Sequence, residues 1–180
     1  MDIHVRAESP EDILAVRRVH AESFATPPGA AEPIEAPLLD RLRADGAVLS
    51  ALTFVAVRDG EVVGSVVCSR GRIGERPSVG LGPIAVLPSH QRQGIGSALM
   101  AAVIDAAQVA GEREIALLGD PAYYARFGFL PAAQLGIQSP GPWGEYFQAR
   151  PLTHLDPSRD GGPFRYASAF DSLEDTADEH

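Results

Sequence analysis

The stretch that most narrows the folds open to this chain runs from Val79 to Ala110. Val79 to Leu87 is a nearly unbroken apolar run closed by Pro88, the length and composition of a buried strand. From about Gly94 to Ala110 apolar residues recur at helical spacing. Ile95, Ala98, Leu99, Ala102, Val103 and Ala106 share one face, and Gly111 is the natural stop. Between the two lies a glycine-bearing turn, Gln91-Arg92-Gln93-Gly94-Ile95-Gly96. A helix entered in this way has first-turn N–H groups without intrahelical acceptors, and their partial positive charge favours an anion. Gly94 and Gly96 remove side chains where backbone must approach a ligand, Arg92 adds charge, and Ser97 offers a hydroxyl. An ordinary strand-to-helix turn with glycine for close packing satisfies the same spacing. Two phosphate loops are excluded: GxxxxGK[ST] needs a lysine, and Gly94-Ile95-Gly96 lacks the third glycine of a dinucleotide fingerprint.

Lysine is absent from the whole sequence, and all 15 basic residues are arginine. Schiff-base chemistry and self-acylation on a lysine amine are therefore excluded. The net charge of −9 disfavours nucleic acid and anionic membrane as partners. Cys68 stands alone, so no internal disulfide or multi-thiolate metal site can form; no metal is expected, and a cytoplasmic setting is the simplest expectation. The first residues, Met1-Asp2-Ile3-His4, lack the pattern of a secretory signal, and no apolar run approaches the roughly 18 residues of a spanning helix.

The remaining elements predict one mixed α/β domain over residues 1–170 and an acidic, solvated tail over 171–180. Asp2 to Ala7 reads as a strand, and Ser9 with Pro10, Glu11 and Asp12 opens a helix running to Phe24. Ile34 to Ala44 is a second helix. Leu52 to Val57 and Val62 to Cys68 are strands joined by Asp59-Gly60, a strong hairpin signal. Ile115 to Leu118 is a strand, Pro121 to Phe127 a short helix, and strands follow around Phe129 and over Tyr146 to Leu152. The sequence leaves a homodimer open.

Gln91, Gly94 and Gly96 match the acyl-CoA signature of the GNAT superfamily of N-acetyltransferases, which this chain resembles. The likeness extends back through Leu81-Gly82-Pro83-Ile84-Ala85-Val86-Leu87-Pro88 and forward through Leu118-Gly119-Asp120-Pro121-Ala122-Tyr123-Tyr124-Ala125-Arg126-Phe127-Gly128-Phe129. The latter, with Phe164 to Phe170, is similar to the YhbS-like branch of that family. The resemblance implies a mixed, mostly antiparallel sheet flanked by helices, whose fourth and fifth strands splay apart around the pantetheine arm of acetyl-CoA. It implies that Ile84, Ala85 and Val86 lend backbone groups to that arm, and that Gln91, Arg92, Gln93, Gly94, Ile95, Gly96 and Ser97 wrap the pyrophosphate. The acceptor it implies is a small-molecule or peptide amine.

Acyl transfer from a thioester needs a neutral amine, a donor for the developing oxyanion and a proton for the departing thiolate. Tyr124 holds the position of the family's tyrosine before the Gly-Phe pair, here Gly128-Phe129, and a neutral phenol suits the proton's donor. Tyr123 reads as packing, and Asp120 before Pro121 as a helix cap. No carboxylate lies between Val79 and Val86, where some family members carry a glutamate, so the general base is unassigned. His20, Glu22 and His90 are alternatives whose simpler reading is solvated surface, as an exposed hairpin connection is for Arg70, Arg72 and Arg76. Cys68 reads as a small buried residue. Trp143 with Pro140-Gly141-Pro142 either shapes an acceptor pocket or packs as a loop. Two classes of function remain: direct acetyl transfer from acetyl-CoA to a primary amine, with thioester hydrolysis or use of a longer acyl chain as further possibilities within the enzyme class, or an acyl-CoA-binding sensor or interaction module that transfers nothing.

Overall fold

A computed structural model describes residues 2–174 of the chain. Its strands are β1 (His4–Ala7), β2 (Phe54–Arg58), β3 (Glu61–Ile73), β4 (Arg76–Val86), β5 (Glu114–Leu118), β6 (Leu130–Pro131), β7 (Ile137–Gln138), β8 (Phe147–Pro151) and β9 (Gly162–Arg165). The helices are α1 (Ile13–Ser23), α2 (Glu35–Ala44), α3 (Ile95–Val109), α4 (Pro121–Tyr124), α5 (Pro157–Asp160) and α6 (Asp171–Glu174). The acidic end beyond α6, residues 175–180, lies outside the described residues.

The sheet runs β1-β2-β3-β4-β5-β8-β6, with β9 against β3 and β7. Every pairing along the main path is antiparallel except β4 with β5. Asp59 and Gly60 both take positive φ, 51° and 83°, the turn whose twist matches the β2–β3 hairpin. β3 extends past the expected Cys68 to Ile73, because its polar Ser69-Arg70-Gly71-Arg72 segment is flanked by β4 on one side and by β9 at its far end. The alternation there is invisible in hydropathy, since Gly71 gives its space to the ring of Phe164.

The two faces of the sheet carry different layers. A Cβ at Gly64 would meet Ile95 and Leu99 of α3, whereas Gly71, an odd number of residues along β3, faces Phe164 on the opposite side. Tyr166 covers Gly80 on that second side and stacks on Phe170, which packs with α2 through the cluster of Leu38, Leu42 and Ala169. α1 contacts α2 as well as β3 and β4. The buried stripe of α3 is Ile95, Leu99, Met100, Val103, Ile104 and Ala107, rotated slightly from the expected face. Met100 and Ile104 take the core positions that the smaller Ala98, Ala102 and Ala106 were assigned, because the larger side chains gain more from burial.

The strand separation that shapes the site follows from register. β4 pairs with β5 only at Val79↔Ile115 and Gly80↔Ala116. Beyond Gly80 the register with β3 shifts opposite Gly82-Pro83, a bulge that bends the strand. Ile84, Ala85 and Val86 thus continue beside β3 alone, and the space that β5 would have filled is left to the cleft.

Candidate active site

The turn after β4 opens at its amides. Arg92 and Gly94 take positive φ, 59° and 82°, which curls the chain before α3 begins. Gly94 is the helix cap and offers no side chain to it, and the first N–H taken up by the turn is that of Ala98, on the Gly94 carbonyl at 3.0 Å. The N–H groups of Ile95, Gly96 and Ser97 have no partner among the described residues, so the first turn of a fifteen-residue helix presents free donors. A Cβ on Gly94 would meet nothing within 4 Å, so the approach to those donors is open, and the glycine is required by its φ.

These amides form one end of a cleft of about 500 Å³, whose walls are Ile84, Ala85 and Val86 on one side and Tyr123, Tyr124 and Arg126 on the other. Nine of the ten residues expected at the coenzyme line it, as does Tyr124. Gln93 is the exception: its side chain accepts from Arg58 at 2.7 Å and donates to the Ser89 carbonyl, away from the cleft. Although the chain is acidic, no carboxylate among the described residues lines this cleft, and Arg92, Arg126 and His90 do. The site's donor set therefore fits a diphosphate far better than the net charge suggests.

The β4 edge is also available. Leu87 donates to Val63, and the antiparallel ladder then turns the N–H and C=O of Ile84 and Val86 away from β3, while Ala85 turns its own towards it. The Val86 carbonyl accepts from Gln91 Nε2 and from Ser23 Oγ, both at 3.1 Å, which ties the turn and the end of α1 to the strand. Only alternate residues of the Ile84 to Val86 segment thus offer backbone groups to a ligand.

Tyr124 sits at the end of α4, capped as expected by Asp120, whose side chain accepts from Ala122 N–H at 2.9 Å. Its ring meets Tyr123 edge-on at 4.9 Å and Phe129 at 6.0 Å. Burial, with a smaller contribution from Tyr123, pushes its phenol up to about 12, so it is a neutral donor at physiological pH. Tyr123 does more than pack: it lines the cleft, lies under Arg126 at 4.7 Å, and its hydroxyl is 3.0 Å from where a Gly96 Cβ would stand. The spacing of Tyr123 and Arg126, three apart on a helical turn, was the available signal for this pair.

Several other residues lie elsewhere than expected. His20 is fully buried rather than on the surface, with Nδ1 2.9 Å from the Val16 carbonyl and Nε2 3.4 Å from that of Pro83. Desolvation lowers its pKa. His90 is half-buried in the cleft wall, and Glu22 is exposed. Arg70 is committed to a bidentate pair with Glu112, and Arg76 donates from Nη1 to both oxygens of Glu114, both carboxylates remote from the cleft walls, and only Arg72 stays on the exposed hairpin. Glu114, fully buried on β5, also accepts from Ser78 at 2.6 Å, so this carboxylate is structural. Cys68 is buried and its thiol is pushed upward by desolvation, an inert position.

Residues 15–129 match the model of the acetyltransferase (GNAT) family. The N-acetyltransferase YhbS of Escherichia coli K12 is 33% identical over 144 residues, 78% of this chain and 81% of that protein. The crystal structure of E. coli YhbS in complex with CoA superposes with a TM-score of 0.84 at 29% identity, covering 94% of this chain and 92% of that one. A GNAT family acetyltransferase from Brucella melitensis in complex with acetyl-CoA gives 0.76 at 33% identity, covering 94% and 98%. With its splayed β4 and β5, its glycine turn and these relatives, the chain belongs to the acetyltransferase (GNAT) family.

Proposed function

We propose that the chain transfers an acetyl group from acetyl-CoA to a primary amine by direct attack in a ternary complex. The observation that carries this reading is the meeting, in one cleft, of a β4 edge without a neighbouring strand, the free amides of the first turn of α3 and the Tyr124 phenol. Acetyl-CoA supplies an activated thioester and a diphosphate. The amides of Ile95, Gly96 and Ser97, with Arg92 and Arg126, hold the diphosphate, and the backbone of Ile84 and Val86 aligns the arm. A β4 N–H turned into the cleft donates to the oxygen that gains charge as the amine nitrogen bonds to the carbonyl carbon. As the carbon–sulfur bond breaks, the Tyr124 proton passes to the sulfur, and the phenol regains a proton from solvent. Burial raises the basicity of a thiolate as well as that of the phenol, so donor and acceptor stay matched in the cleft. The amine loses its own protons to water, since no carboxylate among the described residues lines the cleft.

The test is incubation with acetyl-CoA and a panel of primary amines, reading free CoA and acetylated product by mass spectrometry. Product is expected, and Tyr124→Phe is expected to lower kcat by roughly a hundredfold with acetyl-CoA affinity unchanged. Acetyl-CoA binding by calorimetry with no product from any amine overturns the transferase reading in favour of a coenzyme sensor.

A further inference from the structure

Where β5 ends, a second cavity of about 610 Å³ opens between that strand and the loop before β8. Ala116 pairs with Gly80, whose Cβ position faces Tyr166, so Ala116 and, two residues on, Leu118 look to the face of the sheet away from α3. The walls are Leu118, Pro142, Trp143 and Tyr146, and Leu118 and Tyr146 keep 45% and 54% of their surface exposed there. Such a concentration of large apolar surface around a concavity suits a ligand with an apolar body.

The cavity is held in shape rather than formed by chance packing of a loop. A Cβ on Gly141 would stand 2.7 Å from Trp143 Cε2, so the indole lies flat on that glycine, and it packs against Phe147 at 6.3 Å between centroids. Gly119 N–H donates to the Tyr146 carbonyl at 2.9 Å, and Gln148 Nε2 donates to the Gly119 carbonyl at 2.9 Å, tying loop to strand. Charge adds a second indication. Among the described residues Glu145 is the one carboxylate lining the cavity, it has no ion-pair partner, and no basic side chain lines the cavity beside it. Only the backbone of Gly119 separates this cavity from the phenol of the cleft: it forms part of the cavity wall while its Cα rests on the ring of Tyr124.

We infer that this cavity is the acceptor subsite and that it takes a primary amine bearing an aromatic ring, the ring lying on Trp143 and Tyr146 and the amine reaching past Gly119 to Tyr124. Glu145 draws in the cationic form from solvent before it gives up its proton. The inference rests on the transferase reading for its chemistry, but its binding half can be measured without turnover.

Trp143 is the only tryptophan in the chain, so its fluorescence reports on the cavity directly. Titration with 2-phenylethylamine is expected to change that emission saturably. n-Butylamine is expected to bind about tenfold more weakly for want of the ring, and neutral 2-phenylethanol about threefold more weakly, a gap that Glu145→Gln closes. In the acetylation assay, Trp143→Ala is expected to lower kcat/KM for 2-phenylethylamine about tenfold, with n-butylamine and calorimetric acetyl-CoA affinity little changed. Trp143→Phe, which keeps the wall aromatic, retains most of the activity and covers the case in which the alanine variant fails to fold. Equal kcat/KM for the two amines, with no emission change, overturns the subsite while leaving the transferase intact. A saturable emission change without any acetylated product overturns the transferase and leaves an aromatic-amine site.

Discussion

The Cα of Gly119 lies against the ring of Tyr124 so closely that a Cβ at position 119 would overlap the ring's edge. The phenol's place in the cleft is therefore set by the absence of a side chain on the strand end opposite it. Gly119→Ala should push Tyr124 out of line while leaving the α3 turn untouched. A displacement of about 1 Å in a reacting group can cost roughly a hundredfold in rate, so kcat is expected to fall by about that factor. Acetyl-CoA affinity, read by calorimetry, should change less than about threefold, because the diphosphate contacts lie at the other end of the cleft.

Tyr124 also makes the alkaline side of the pH profile informative. Its folded-state pKa is raised to about 12 by burial, so the protonated donor persists well above the ordinary phenol value of 10.0. The wild-type rate is expected to keep rising through pH 10 as the amine, an alkylammonium with an ordinary pKa of about 10.4, deprotonates, with no fall attributable to the phenol. A decline centred near the ordinary phenol value would mean that an exposed tyrosine, or no tyrosine, supplies the proton.

At Gly94 the backbone itself is the determinant. Its φ of 82° is costly for any residue with a Cβ, by about 1 kcal/mol, and relief of that strain would close the curl that presents the Ile95 to Ser97 amides. Gly94→Ala is expected to leave the fold intact and to weaken acetyl-CoA binding about tenfold. Arg92→Ala should weaken it a few-fold in low salt, with the difference fading as ionic strength rises, because Arg92 is exposed.

How much of this was legible in the sequence depended on whether local chemistry or distant pairing set the outcome. Asp59-Gly60 makes its own turn, Pro88 ends its own strand, and the apolar spacing from Ile95 to Ala107 makes its own helix, so β2, β3, β4 and α3 could be read from neighbours in sequence. The far half of β3 could not, because Ser69 to Ile73 is a strand by virtue of pairing with Arg76 to Gly80 and, at its end, with Phe164 and Arg165. The same distinction divides the site. Glycines and first-turn amides follow from the turn, whereas Gln93 leaves the cleft because Arg58, far away in sequence, engages its amide. Tyr123 joins the cleft because α4 is packed across the start of α3. His20 shows the same effect at the core, where burial depends on β4 arriving above α1 with the Pro83 carbonyl facing the ring.

That buried histidine gives the fold a definite acid response. Both ring nitrogens of His20 face carbonyl oxygens, Val16 at 2.9 Å and Pro83 at 3.4 Å, yet desolvation outweighs both contacts, with Arg43 acting in the same direction and Glu8 against it. Its folded pKa therefore lies below the ordinary value of 6.5, and above that value the ring is neutral in both folded and unfolded chains. As pH falls below 6.5 the unfolded chain binds the proton first, so stability decreases until the folded ring is protonated too. Asp12 adds a separate loss lower down: its hydrogen bonds to Arg6, the leading cause, and to Ser9 hold its carboxyl far below the ordinary 3.8, so its contribution persists above that value and disappears below it. Urea midpoints measured from pH 7.5 to 5 should fall for the wild type across the histidine window. His20→Gln, lower in starting stability because the fit is imperfect, should show a flatter profile over the same range. An equally steep profile in that variant would assign the acid sensitivity to the other histidines or to the carboxylates.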